Sequence, residues 1–307
     1  MKKHIKKILR KLGIEIRRTN FSYTTQKSIL GYAEDSNTNS DKKDVIKYSV
    51  LTENKFQSKY CVVYLVFGDE LLAIFENSLL TLRYCGVTLD VVVYYGGNQY
   101  KEIELIAKKY QISVKILGDK DGDKSVKYSQ IGTIGFNEAT AYKWSIIIDA
   151  IESKYDGVIY TDCDIVFLGR FDKYIQKISK LYEGALQTES QNAFPPIYCT
   201  GFMYFSKESK EFLSHLYQYN LKNLHIGNDQ DIFNEYVLIN PELVRELWSL
   251  PESQFQNGLF WKTHIEVDDD MNMGELKPYM YHANFIKGIE KKIVMLKKLK
   301  LWKLEKN

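Results

Sequence analysis

The chain has 307 residues, of which 45% are hydrophobic and 26% are charged, an ordinary globular composition that can bury a substantial core. Its net charge of +3 conceals an asymmetry: residues 1–20 carry +7, residues 287–307 carry +6, and the body between them carries −10. Nucleic-acid-binding proteins more often spread basic charge over the body, so we expect no nucleic-acid partner. The four cysteines form no C-x-x-C pair, which argues against a disulfide framework or a structural zinc site and favours a reducing cytosol.

Both ends of the chain combine basic charge with apolar residues at helical spacing. The N-terminal segment, residues 1–20, lacks the apolar core of a signal peptide, and no stretch approaches the roughly 18 apolar residues of a membrane span. In the C-terminal segment, residues 291–307, Met295, Leu299 and Trp302 share one face of a predicted helix. Such basic amphipathic helices are typical of membrane-surface elements, although they can equally pack on the protein body. We expect a cytoplasmic protein that can bind peripherally to the anionic cytoplasmic face of a membrane.

Strand and helix patterns alternate along the body of the chain. Residues 21–58 form a predicted linker region, because their central part is polar, aperiodic and rich in Ser, Asn and Asp. The strands that follow are predicted at 60–68, 89–97 and 112–118, with amphipathic helices between them. The second half adds strands at 184–190, 197–206 and 277–285 and helices at 207–219 and 229–239. The sequence therefore predicts an α/β domain over 59–290, Rossmann-like, with a mixed, mostly parallel sheet flanked by helices.

One predicted strand is interrupted by acidic residues. The stretch "VIYTDCDIVFLG", residues 158–169, is predicted as the fourth strand, with Asp162 and Asp164 two positions apart. Residues i and i+2 of a strand face the same side, and the carboxyl end of a parallel strand opens on the crevice where α/β sheets bind ligands. Two adjacent carboxylates repel each other unless a cation lies between them, and oxygen ligands suit Mg²⁺ or Mn²⁺. A divalent metal site is one interpretation; a strand end with one exposed carboxylate and one helix cap is the other.

The same stretch fits a second enzyme class. A run of apolar residues followed by D-x-D-x-V is typical of haloacid-dehalogenase-like phosphatases, in which Asp162 would be the nucleophile and Asp164 a general acid. The run "IEVDDDM", residues 265–271, would correspond to the acidic pair that occurs later in the sequences of that family. Against this interpretation, the phosphatase motif normally follows the first strand of its domain, whereas about three strand–helix units precede it here.

Four further segments join this stretch in an ordered set of motifs. They are "FNEATAYKWSIIIDAIESKYDG" before it, and "CTGFMYFSKESKEFLSHLY", "GNDQDIFNEYV" and "YHANFIKGIEKK" after it. The set resembles nucleotide-diphospho-sugar transferases with the GT-A fold, the type found in glycosyltransferase family 77 and related to family 8. The resemblance covers about 60–290, and its ordered motifs are much more specific than D-x-D alone.

The resemblance implies a metal site. Asp162 and Asp164 would hold a metal ion that bridges the diphosphate of a nucleotide-sugar donor, with His282 as the third protein ligand. A nitrogen ligand among oxygen ligands favours Mn²⁺, with Mg²⁺ as the alternative.

The resemblance also implies donor contacts. Lys143 in the preceding helix would face the donor, Asp162 would lie against it, and Gly201 would lie in the glycine-containing strand of the donor site. Lys291 would contact the diphosphate, with Lys287 as the alternative.

The D-Q-D element, Asp229, Gln230 and Asp231, begins a predicted helix. Capping and the helix dipole explain one or two of these acids on structural grounds. The resemblance makes this trio the catalytic group, with Gln230 near the anomeric carbon and Asp229 or Asp231 on sugar hydroxyls. Where family 8 relatives carry Asn, this chain has Cys199 followed by Thr200, so the donor sugar cannot be carried over.

The function expected from the resemblance is metal-dependent transfer of a sugar from a nucleoside-diphosphate donor, UDP-linked, with retention of configuration. The acceptor would be a glycan or a lipid-linked glycan in surface polysaccharide synthesis. The alternatives are the phosphatase and a non-catalytic membrane-surface scaffold. The motifs specify neither the donor sugar, the acceptor and linkage, nor the oligomeric state.

Overall fold

Two sheets organise the chain. The computed structural model describes residues 48–53, 58–117, 133–190, 193–260 and 277–304. The strands within these residues are β1 (Tyr48–Thr52), β2 (Tyr60–Val66), β3 (Asp90–Tyr95), β4 (Ser113–Leu117), β5 (Gly157–Thr161), β6 (Ile165–Phe167), β7 (Gly184–Ser190), β8 (Ile197–Ser206), β9 (Leu247–Ser249), β10 (Phe255–Gln256) and β11 (Met280–His282). Eight of them form one sheet in the order β1-β4-β3-β2-β5-β8-β7-β9, and three form a small sheet in the order β10-β11-β6.

The large sheet is parallel at its centre and mixed at its sides. Strands β4, β3, β2 and β5 are parallel neighbours, β1 and β8 join them antiparallel, and β9 runs parallel to β7. The central strand β2 reads "YCVVYLV" and is buried from its second residue onward, as expected where helices cover both faces of a parallel strand. The α/β fold with a mixed, mostly parallel sheet that the sequence predicts is therefore confirmed.

The helices connect and cover these strands. They are α1 (Leu72–Tyr84), α2 (Tyr100–Tyr110), α3 (Ile134–Ser153), α4 (Asp172–Ile178), α5 (Lys210–Lys222), α6 (Asp229–Ile239), α7 (Gly258–Phe260) and α8 (Ile289–Lys298). Helix α3 packs on β2 and β5, and α6, which begins with the D-Q-D element, packs on β8. Asn228 caps α6 by accepting hydrogen bonds from the backbone N–H groups of Gln230 and Asp231.

The acidic stretch is not one strand. The prediction of a single strand over 158–169 is wrong, because β5 ends at Thr161 in the large sheet and β6 begins at Ile165 in the small one. Asp162 and Asp164 lie in the turn between them, where the Ile165 N–H donates to the Asp162 carbonyl at 3.4 Å. The two carboxylates therefore converge through a change of sheet and not through the side-chain alternation of a strand.

The small sheet brings a distant histidine to this turn. Strands β6 and β11 pair antiparallel, with His282 opposite Ile165. The Ala283 N–H donates to the Asp164 carbonyl at 3.1 Å, which extends the pairing to the turn itself. Backbone hydrogen bonds thus fix His282 beside Asp164.

The predicted domain limits need revision at the N-terminal side. Residues 21–58 are predicted as a linker region, yet they contain β1, which pairs antiparallel with β4. The remainder of that region up to residue 47, and the basic segment 1–20, lie outside the described residues. The run "IEVDDDM" also lies outside them.

The C-terminal segment packs against the core. A helix is predicted over 291–307, but α8 ends at Lys298, and Lys300 adopts a positive φ of 60°. Leu296 is fully buried, and Met295, Leu299 and Trp302 pack against the hydrophobic core. The apolar face is thus largely occupied by the protein body, while Val294 remains 67% exposed. Across the described residues, no helix has the length and apolar character needed to cross a membrane.

This packing predicts a contrast within α8. Leu296→Ala should lower the free energy of unfolding by about 2–5 kcal/mol, because it leaves a cavity in the core. Val294→Ala, which removes a mostly exposed side chain, should change it by less than about 0.5 kcal/mol. Urea denaturation of both variants measures the difference, and equal, small effects would show that α8 is not docked on the core.

Candidate functional site

A cavity of about 460 Å³ opens at the carboxyl ends of β2 and β5. Ligand crevices of α/β sheets form at such strand ends. Seven of the predicted site residues line this cavity: Lys143, Asp162, Asp164, Gly201, Asp229, Gln230 and His282. Helix α3, the β5–β6 turn, β8, α6 and β11 each contribute to it, so the cavity draws the separate sequence motifs together.

Three of these side chains could share one metal ion. Ligand atoms of Asp162, Asp164 and His282 all lie within 4.8 Å of one another. The His282 Nε2 atom is 3.2 Å from Oδ1 of Asp164 and 3.6 Å from Oδ2 of Asp162. Two carboxylates and one imidazole at such distances provide the mixed oxygen and nitrogen donors that suit Mn²⁺, and oxygen-rich sites also suit Mg²⁺.

Hydrogen bonding orients the histidine for this role. Its Nδ1 atom lies 2.9 Å from Oε1 of Gln187, and the Gln187 amide nitrogen donates to the Phe255 carbonyl at 3.1 Å. Since the Gln187 oxygen can only accept, we assign the imidazole proton to Nδ1. In the neutral imidazole, Nε2 is then the nitrogen that can bind a metal ion; it is buried and finds no hydrogen-bond partner within the described part of the chain. Such a second contact to a ligand histidine is the usual support of a metal site.

One oxygen of each of the two aspartates is already engaged by a lysine, and the one on Asp162 also accepts from a hydroxyl group. Oδ1 of Asp162 lies 3.2 Å from the Lys143 ammonium and accepts a 2.7 Å hydrogen bond from the Tyr160 hydroxyl. Oδ2 of Asp164 contacts the Lys292 ammonium. The other two oxygens are those nearest to Nε2 of His282. One oxygen from each aspartate therefore remains to face a cation beside the histidine.

The lysine on Asp164 also governs its ionisation. Burial alone would raise the pKa of Asp164, but the Lys292 ammonium beside it holds that pKa well below its usual range. Asp164 is consequently ionised and can serve as an anionic ligand at neutral pH.

Gly201 permits the close approach of the ligands. Its carbonyl accepts a 2.7 Å hydrogen bond from the Asp162 N–H, which joins β8 to the β5–β6 turn. A Cβ atom at this position would overlap the His282 ring and lie 2.9 Å from Oδ2 of Asp162. In the structure, Gly201 therefore leaves room for the group of Asp162, Asp164 and His282, called the metal cluster below, whereas the sequence predicts that Gly201 contacts the donor.

Lys143 lines the cavity as predicted, but its charge is already paired. Its ammonium lies 2.9 Å from Asp229 and 3.2 Å from Asp162, and 5.2 Å from the centre of the Tyr160 ring. Burial alone would lower the pKa of Lys143, yet the two carboxylates raise it above its ordinary value. Lys143 thus links the metal cluster to the start of α6.

The D-Q-D trio is divided between two environments. Asp229 is buried, pairs with Lys143 and accepts a 2.6 Å hydrogen bond from the Thr200 hydroxyl. Gln230 lines the cavity, and its amide nitrogen donates to Glu189 at 3.0 Å. Asp231 is exposed and completes the capping box of α6, and it is outside the lining of the cavity as far as the structure describes the chain. Helix capping, the structural explanation given above for the acidic residues of this element, therefore accounts for Asp231.

The lysine that faces the cavity is one residue further along the chain than the lysine predicted to contact the diphosphate. Lys287 and Lys292 line the cavity, whereas Lys291 is exposed and lies outside its described lining. Successive residues of a helix point about 100° apart, so the start of α8 at Ile289 decides which lysine faces inward. Lys292 and the predicted alternative Lys287 therefore line the cavity, and the predicted Lys291 does not.

Several cavity residues escape prediction from the sequence. Gln187 and Glu189 occupy alternate positions near the end of β7, in "GALQTES". Tyr160 lies in β5, shortly before the acidic turn. A polar i, i+2 pair at the end of a strand is the only local signal for the first two. The hydrogen bond from Tyr160 to Asp162 has no sequence signature.

The comparisons with known proteins agree with this geometry. The family model described as nucleotide-diphospho-sugar transferase matches residues 101–296. No curated protein sequence matches the chain significantly.

Solved structures share the fold. The glycosyltransferase GlyE of Streptococcus pneumoniae TIGR4 is similar with a TM-score of 0.55 and 13% identity, over 81% of this chain and 61% of that one. The galactosyltransferase LgtC, in complex with donor and acceptor sugar analogs, is similar with a TM-score of 0.51 and 9% identity, over 72% of this chain and 86% of that one. At these identities the likeness concerns the fold alone.

The crowding at Gly201 predicts a specific defect. Gly201→Ala should weaken Mn²⁺ binding at least tenfold, because the new methyl group displaces His282 and Asp162, and disturbed metal-site geometry costs 10–100-fold in affinity. The control is Gly169→Ala, whose Cβ would have its nearest neighbours at 3.4 Å. Titration of free Mn²⁺ by electron paramagnetic resonance compares the two, and equal affinities would contradict the arrangement.

Proposed function

The chain belongs to the nucleotide-diphospho-sugar transferase family and is a glycosyltransferase, and from that premise we propose that it uses a divalent metal ion at Asp162, Asp164 and His282. The observation that carries the proposal is the buried Nε2 of His282, which faces two carboxylates while Gln187 engages Nδ1 of the same ring. A bound metal would act as a Lewis acid toward the leaving diphosphate. Family 77 remains a prediction within the broader family.

The protein's own charges suit a diphosphate. Lys292 and Lys287 line the cavity beside the metal cluster, where an ammonium stabilises negative charge that develops on a leaving group. Lys292 already contacts Asp164, so a small movement of its flexible side chain would let it bridge this carboxylate and a phosphate oxygen. These two lysines would bind the diphosphate in place of Lys291.

The cavity offers different surroundings for the two ends of a donor. Leu65, Phe67 and Phe136 supply apolar surface at one side, which suits the base and ribose of a nucleotide. Gln230 supplies a polar group that suits a sugar. We further propose that the donor is UDP-linked, that the reaction retains the anomeric configuration, and that Gln230 lies beside the anomeric carbon.

The phosphatase alternative is less favourable. A nucleophilic Asp162 would need an accessible oxygen, whereas Lys143 and Tyr160 occupy its Oδ1 and its Oδ2 faces His282. The acidic turn also follows the fourth parallel strand and not the first. Release of phosphate from small phosphomonoesters would favour that alternative.

Metal-dependent donor binding is the direct test. Calorimetry should show UDP binding with Mn²⁺ that EDTA abolishes, and turnover of the matching UDP-sugar should depend on the metal in the same way. Asp164→Asn should weaken binding at least tenfold by removing an anionic ligand. Asp156→Asn, just before the first residue of β5 and outside the described lining of the cavity, is the control. UDP bound equally well in EDTA would refute the metal assignment.

The exposed face of α8 supports a peripheral membrane location. Lys291, Val294 and Lys298 are exposed and share one side of the helix, while Leu296 anchors the other side in the core. Lys287, at the cavity rim, lies two residues before Ile289, the first residue of the helix. Such a surface would hold the cavity near an anionic bilayer and a lipid-linked glycan acceptor in polysaccharide synthesis.

Vesicle binding tests this location. The full chain should sediment with vesicles that contain 30% anionic phospholipid, and K291E/K298E should weaken this at least tenfold, since each surface lysine contributes about 1 kcal/mol. The matched control is K101E/K108E, an exposed pair seven residues apart on α2. Equal binding of both variants would remove the support for a role of α8.

A further inference from the structure

We infer that Glu189 is a positioning residue, which orients and polarises the Gln230 amide toward the reacting sugar. The inference rests on the proposed function, because Gln230 acts on the sugar only if the cavity binds a sugar donor. The observation behind it is the hydrogen bond of 3.0 Å from Nε2 of Gln230 to Oε1 of Glu189.

Strand β7 directs two side chains toward the site. Gln187 and Glu189 are two residues apart, the spacing that places side chains on one side of a strand. Gln187 supports His282, and Glu189 lines the cavity. The register between β7 and β8 shifts between Leu186 and Gln187 and again between Thr188 and Ser190, at Glu189 itself, and such irregularities re-aim side chains near binding sites. One strand thus supports the metal cluster and the sugar end of the cavity.

The contact with Glu189 determines which end of the amide faces the cavity. A carboxylate only accepts hydrogen bonds, so it selects the amide nitrogen of Gln230 and turns the carbonyl oxygen away from itself. The backbone of Gln230 is fixed independently, because its N–H donates to Asn228 at 2.9 Å in the cap of α6. With both ends of the residue held, the amide carbonyl has a defined direction.

The negative charge of Glu189 also changes the amide itself. A hydrogen bond to an ionised acceptor is stronger than a neutral one, and it polarises the donor group. The Gln230 carbonyl oxygen becomes more negative as a result. This oxygen is the group proposed to face the anomeric carbon, where positive charge develops as the bond to the diphosphate breaks.

The test combines Glu189→Gln, Gln230→Ala and the double variant in the full-length protein. Glu189→Gln keeps the shape and removes the charge, so kcat for donor hydrolysis should fall about tenfold, less than the loss of a group in direct contact with developing charge. The KM for the donor and the Mn²⁺-dependent affinity for UDP should stay within about twofold, since Glu189 is not one of the three side chains proposed to hold the metal. In the Gln230→Ala background, Glu189→Gln should change kcat less than about twofold.

The possible results separate the inference from the proposed function. An unchanged kcat in Glu189→Gln overturns the inference, and so does an equal loss in both backgrounds, which would mean that Glu189 acts on the substrate directly. Absence of UDP binding by the unaltered protein overturns the proposed function instead. The orientation of the amide can be measured without turnover by NMR of protein labelled with ¹⁵N-glutamine. The side-chain amide signals of Gln230 are identified by their absence in Gln230→Ala. These signals should shift in Glu189→Gln, and unchanged signals overturn the inference.

Discussion

The antiparallel pairing of β6 with β11 is the contact on which the site depends. It spans more than a hundred residues of sequence and sets His282 opposite Ile165, directly beside the acidic turn. Because β5 and β6 belong to different sheets, Asp162 and Asp164 sit where the chain passes from one sheet to the other. Without this pairing, the two aspartates would lack the third ligand, and the support from Gln187 would have nothing to orient.

Charge balance explains why the acidic residues can be buried together. Asp162, Asp164 and Asp229 lie in one cavity, and each contacts a lysine, either Lys143 or Lys292. The lysines occupy one oxygen of each aspartate in the turn, which leaves the oxygens that face His282. Burying a charge is costly unless it is paired, so this pairing is what allows the three carboxylates to lie together in the cavity.

Much of the fold, and the grouping of Asp162, Asp164 and His282, follow from the sequence, but the geometry of this group does not. Apolar runs and turn residues predict the parallel strands, and the ordered motifs single out Asp162, Asp164 and His282. The change of sheet after Thr161 leaves no local signal, because β5 and β6 are both apolar. The phase of α8, which distinguishes Lys291 from Lys292, depends on where the helix begins, and side-chain contacts such as Tyr160 to Asp162 arise only in the folded chain.

Anomalous diffraction from a crystal soaked with Mn²⁺ and UDP tests the central claim most directly. The account predicts one manganese peak within bonding distance of Oδ2 of Asp162, Oδ1 of Asp164 and Nε2 of His282, with the diphosphate on its open side. A UDP molecule bound in the cavity with no manganese at these three atoms would contradict it.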